Sequence, residues 1–169
     1  MNYKSLIFLF GLIFLIGTTA SAQQFRYIGA SKCKMCHNKP NKGEQFNIWE
    51  KGPHANSLDA LEGDDRDDPT CLKCHSTAAG VDSKLHAGIK VDEGVSCESC
   101  HGPGSVYKSA AIMRNKKLAL SKGMTDPTEE TCKECHLGDK PAGHPEPSKP
   151  WNYNEFVKVI AHDDPTTDN

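Results

Sequence analysis

The sequence is short of the residues from which a self-packed core is made. Only 37% of its 169 residues are hydrophobic and only 7% are aromatic. A domain of this size normally uses more apolar side chains, so something else must fill the middle. Positive charge is not in excess either. Twenty Lys and Arg stand against 22 Asp and Glu, for a net charge of −2, and no basic patch stands out, which argues against nucleic acid as a partner. Strand-like alternation is missing, and after the first residues no apolar run is long enough to cross a bilayer. The length suits one domain. What the chain has in abundance is eight Cys and eight His.

The N-terminus is read as an export signal. One Lys precedes an apolar run from Leu6 to Ile16, and Ala20-Ser21-Ala22 supplies a small-residue cleavage site. The alternative, an uncleaved anchor, needs a longer run. No Cys lies near the site, so a lipoprotein is not indicated. Residues 1–22 are therefore expected to be a cleaved signal peptide, and 23–169 the mature domain. That domain has 147 residues with 19 basic and 22 acidic side chains. The product is expected to be periplasmic or otherwise exported, the extracellular space included, with no membrane span after cleavage.

Export permits disulfides, but the cysteines do not read as a disulfide framework. They fall as Cys33-Lys-Met-Cys36-His37, Cys71-Leu-Lys-Cys74-His75, Cys97-Glu-Ser-Cys100-His101 and Cys132-Lys-Glu-Cys135-His136. Four histidines placed this way by chance would occur roughly five times in a million. Disulfides give no reason for them. Thioredoxin-type sites do not come in fours, and zinc bound by two C-x-x-C pairs leaves the histidines unused. The pattern C-x-x-C-H is the c-type haem attachment signature. The two thiols form thioethers to one haem, and the adjacent His binds its iron as proximal ligand. Cys33, Cys36, Cys71, Cys74, Cys97, Cys100, Cys132 and Cys135 are thus expected to attach four haem c groups. His37, His75, His101 and His136 are expected to ligate their irons. The haems then replace much of the missing core.

The fold expected is mainly α with extensive loops, a compact multihaem cytochrome c whose core is largely haem, with little or no sheet. Ser31, Asp68 and Ser96 stand where N-caps of the motif helices would fall. Asp126-Pro127-Thr128-Glu129 resembles a capping box before the fourth motif. Ser105 to Lys122 reads as the longest helix, ending at Gly123. Asn154 to His162 reads as a final helix with Phe156, Val157 and Ile160 on one face. Glu62 to Asp68 is a charged loop, solvated rather than a dock for a basic partner. Asp139 to Pro150 holds four prolines and must turn or extend. The motifs recur at separations of 38, 26 and 35 residues, an array of sites and not a structural repeat.

Four histidines remain: His54, His86, His144 and His162. A lone His is usually a surface or core polar contact. Four spare histidines for four irons point instead to second axial ligands. His54 follows the helix-like Gln45-Phe46-Asn47-Ile48-Trp49, His162 lies on the final helix, and His86 and His144 lie in Gly- or Pro-containing loops.

The chain resembles the tetrahaem cytochromes of the c-554 type, known as electron acceptors of hydroxylamine oxidoreductase in ammonia oxidation. Gly94-Val95-Ser96-Cys97-Glu98-Ser99-Cys100-His101-Gly102-Pro103-Gly104 is the most specific piece. The resemblance implies that His54 serves the third haem and His162 the fourth, and that the haem of the second motif is five-coordinate. It also implies a distal His ten residues past His101, where this chain has Ala111. Met113, His86 and His144 are the candidates to replace it, Met113 reading first as packing.

An exported electron carrier is the leading reading, meeting redox proteins as donor and acceptor at exposed haem edges. A redox enzyme working on nitric oxide, hydroxylamine or peroxide would need an open-faced haem. A subunit of an extracellular cytochrome filament would need self-association, with a neighbouring copy supplying a histidine.

Overall fold

A computed structural model describes residues 25–162 and Pro165. The expected signal segment, 1–22, lies outside them. The described chain is mainly helical, as expected, with nine short α-helices: α1 Ser31–His37, α2 Gln45–Glu50, α3 Pro69–His75, α4 Thr77–Gly80, α5 Cys97–His101, α6 Ala110–Met113, α7 Lys116–Ser121, α8 Glu129–His136 and α9 Tyr153–Ile160. Five 3₁₀ turns lie between them. Among the described residues there is no strand, only an isolated parallel bridge between Tyr27 and His86.

The four motifs are placed alike. Helices α1, α3, α5 and α8 carry one C-x-x-C pair each, and each ends on its motif histidine. A helical turn puts the two thiols on one side and turns the next side chain beneath them.

The helix starts follow local chemistry, though not always as expected. Asp68 caps α3, its Oδ1 accepting from the Thr70 N–H at 2.7 Å, with Pro69 as first helical residue. Ser31 is already inside α1; Ala30 stands at the cap. Its N–H donates to Glu93 at 2.8 Å instead. Ser96 occupies the cap of α5 without a side-chain bond. Thr128, not Asp126, caps α8, in a reciprocal pair with Thr131. Asp126 is taken up by an ion pair with Lys116 at 2.7 Å.

The long helix expected over 105–122 is broken. Asn115 leaves helical geometry, and its side chain accepts from the Leu118 N–H at 2.9 Å, starting α7 afresh. Asn competes for backbone donors in this way, favouring caps over helix interiors. The final helix starts at Tyr153, capped by Asn152, and stops at Ile160. Phe156, Val157 and Ile160 are half-buried, as the periodicity predicts. His162 stands beyond the helix, after an extended Ala161, and not on it. Residues 139–150 form turns and extended chain.

The apolar core is thin. Its buried members are Ile28, Ala30, Phe46, Leu61, Ala78, Ile89, Tyr107 and Ala119. Residues 91–96 tie the elements together. The Thr77 N–H donates to Gly94 O, the Val95 N–H to His54 O, and the Trp49 indole N–H to Val95 O, each at 2.9 Å. Gly94 has φ of +63°, and a Cβ there would fall 2.7 Å from the carbonyls of His54 and Ala55. Glycine is required for that backbone approach.

Candidate functional site

Each motif histidine must point one ring nitrogen at a partner if the other is to serve a metal. His75 Nδ1 lies 2.8 Å from Ser57 O, His101 Nδ1 3.3 Å from Thr125 O, and His37 Nδ1 3.4 Å from Gln45 Oε1. A carbonyl oxygen only accepts, so the Nδ1 proton is held there and the Nε2 lone pair is left for ligation. These partners were not identified from the sequence. Ser57 and Thr125 act through backbone carbonyls and leave no side-chain signal. Gln45 left one, a polar residue buried beside Phe46.

The remaining histidines come from distant segments. The ring of His54 lies 6.1 Å from that of His136, the ring of His144 6.5 Å from that of His75, and the ring of His162 6.0 Å from that of His101. Every pair joins a motif histidine to a non-motif one. Two metal–imidazole bonds of about 2 Å, plus roughly 1 Å from each coordinating nitrogen to its ring centre, span about 6 Å. The separations therefore suit one iron between two imidazoles. His144 Nδ1 faces Pro145 O at 2.7 Å, which leaves its Nε2 for the same purpose. Burial holds His54 and His101 below the ordinary imidazole value, with His136 adding to the effect at His54. Neutral imidazole is the form that ligates.

The pairing differs from the one the resemblance implies. His54 faces the fourth motif, not the third, and His162 faces the third, not the fourth. The second motif, whose haem the resemblance leaves open, has His144 opposite it. Trp151 explains part of the geometry. Its ring packs 5.1 Å from His136 and 5.5 Å from Phe156 of α9, so the helix that delivers His162 also abuts the fourth motif.

His86 is half-buried, and its Nε2 is buried without a hydrogen-bond partner. Its segment is bridged to Tyr27, four residues before α1. The Tyr27 N–H donates to Leu85 O at 2.8 Å, and the Ala87 N–H to Tyr27 O at 2.7 Å. Such an orphaned nitrogen fits a missing metal bond. Ala111 is exposed; Met113 lines a cavity with His37.

That cavity has a volume of about 490 Å³, and His54, Cys97, His101, Cys132 and His162 also line it. It thus unites groups of the first, third and fourth motifs in a space of cofactor dimensions. None of the eight cysteines is disulfide-bonded. Cys33 lies close enough to Cys97 to interact with it, Cys74 to Cys135, and Cys100 to both Cys132 and Cys135. The motifs are thereby neighbours in the order first, third, fourth, second. All eight cysteines and four motif histidines fit covalently held haem, with no atom of the set left over.

Residues 32–102 match the family model described as cytochrome c554 and c-prime. The chain is 28% identical over 139 residues to the cytochrome c-554 of Nitrosomonas europaea, over 64% of this chain and 57% of that protein. It thus spans little more than half the length of that curated relative. No solved structure matches. Both matches bear out the resemblance to the cytochrome c-554 family, c-type cytochromes that hold haem covalently.

Proposed function

We propose, from that likeness to the cytochrome c-554 family, that this chain is an exported tetrahaem electron carrier with every iron held between two histidines. The observation that carries the reading is the set of three mixed histidine pairs at 6.0–6.5 Å. His75 with His144, His101 with His162, and His136 with His54 would hold three irons. His86, with its orphaned nitrogen on the segment bridged to Tyr27 ahead of α1, would serve the remaining iron, that of the first motif, with His37. The cysteine pairs 33/36, 71/74, 97/100 and 132/135 would anchor the rings.

Haem iron held this way supplies reversible one-electron exchange. The chain's own work is to orient the imidazoles through Gln45, Ser57 and Thr125, and to fill both axial positions. Filled positions exclude small substrates, which favours a carrier over an enzyme. The neighbour order of the thiols supports a continuous path from the first motif to the second, with redox proteins docking at its ends. Residues 1–22 support export, and the mature chain would begin at Gln23.

Haem quantification, intact mass and electron paramagnetic resonance of the oxidised protein test this reading. Four haems per chain, a mature N-terminus at Gln23, and low-spin iron that ignores nitric oxide are expected. Fewer than four haems, or a high-spin population of one haem per chain, would overturn it.

A further inference from the structure

Glu98, inside the third C-x-x-C, is 1% exposed. A carboxylate is almost never buried so fully without a partner. Among the described residues Glu98 makes no ion pair; its partners are backbone donors. Oε1 accepts from the Ile28 N–H at 3.0 Å and the Gly104 N–H at 2.6 Å. Oε2 accepts from the Ile28 N–H at 2.9 Å and the Gly29 N–H at 2.8 Å. Charge-assisted bonds of this kind offset desolvation. Gly29 and Gly104 leave the room required. A Cβ on Gly104 would lie 3.1 Å from Glu98 Oε1, and one on Gly29 2.6 Å from Glu93 Oε1.

Two of the three donors, Ile28 and Gly29, belong to the segment that leads into α1, the helix of the first motif; Gly104 follows α5. Glu98 itself belongs to α5, the helix of the third. It follows Cys97 directly in the chain, and Cys33 of the first motif lies near enough for its charge to be felt there too. One side chain therefore fastens two cofactor-bearing segments and places a negative charge between them. In an uncharged amide one of the two oxygens becomes a donating NH2, so the Gly29 or the Gly104 N–H, which face different oxygens, would lose its acceptor.

We propose that Glu98 is a positioning residue that locks the first haem segment onto the third and, by its buried charge, lowers the reduction potentials of those two haems. Negative charge at low dielectric favours ferric over ferrous iron. The inference rests on the tetrahaem reading above, so haem number is measured first on the native protein; fewer than four there is a failure of that reading alone.

The test is a redox titration of holoprotein carrying Glu98→Gln and Glu98→Asp, with the four midpoints resolved spectroscopically, and amide hydrogen exchange at Ile28, Gly29 and Gly104. In E98Q, two midpoints move positive and two stay. In E98D, which keeps the charge on a shorter arm, the midpoints stay near native while the three amides exchange faster. Unmoved midpoints in a four-haem E98Q overturn the proposal, as does E98D shifting as far as E98Q. If E98Q yields no holoprotein, E98D decides alone: shifted midpoints, or amides as slow as native, refute it.

Discussion

Replacing His54 by Ala separates two assignments of the same residue. In the structure its ring faces His136 of the fourth motif at 6.1 Å; the family resemblance would give it to the third. The backbone of His54 stays useful in the variant, since its carbonyl still accepts from the Val95 and Ser57 N–H groups at 2.9 and 3.3 Å. Loss of a half-buried ring should therefore cost about 1–3 kcal/mol of stability and leave the fold intact. With one axial ligand gone, one haem in four becomes high-spin, a quarter of the iron by integrated electron paramagnetic resonance. Added imidazole, which fits the space vacated, should restore the low-spin signal. The indole N–H of Trp151 identifies the haem, because that ring packs 5.1 Å from His136 and donates to Glu129 at 3.1 Å. Its proton resonance should broaden in H54A and sharpen again with imidazole. Four low-spin haems in H54A would refute the ligand assignment. A high-spin haem that leaves Trp151 undisturbed would refute the pairing.

Three more perturbations probe other residues. His144→Ala should open the second-motif haem, giving one nitric oxide-binding iron where the native protein has none; a variant that still ignores nitric oxide would show that His144 is no ligand. Trp49→Phe removes the hydrogen bond to Val95 O, and should cost about 1 kcal/mol in denaturant unfolding while all four haems remain low-spin. Burial, aided by the charge of Glu98, pushes the Glu93 carboxyl above its ordinary value. The folded state then binds its proton more readily than the unfolded state does. Stability is lost as pH rises from about 4.3, the unfolded value, through the raised folded value. Glu93→Gln removes that loss while its amide oxygen can still accept from Ala30. The difference between native and variant unfolding curves should therefore grow with pH over that window; a difference independent of pH would refute the cause assigned.

What could be read in advance was whatever rests on neighbours in the chain. Two thiols and an imidazole within five residues, on one helical turn, specify a haem wherever the chain goes. The motif helices, the Asp68 cap and the apolar face of the last helix follow from equally local rules. The helix over 105–122 failed because Asn115 has two local options, and its side-chain bond to Leu118 won. The distal ligands were legible only as a set of four spare histidines. Which one meets which iron depends on partners far apart in sequence, 61–82 residues in the three facing pairs, brought together by loops with little pattern of their own. His54 was thus recognisable as a candidate, but its place opposite His136 depends on Val95, Trp49 and Trp151. Ser57 and Thr125 serve through carbonyls that every residue possesses, so no side chain could announce them. Glu98 carried no assigned role in the sequence; its place follows from Ile28, Gly29 and Gly104, which close around it. Attachment chemistry is short-range, so it is written in five consecutive residues. Pairing, orientation and buried charge depend on distances through space that spacing along the chain does not encode, so they emerge with the fold.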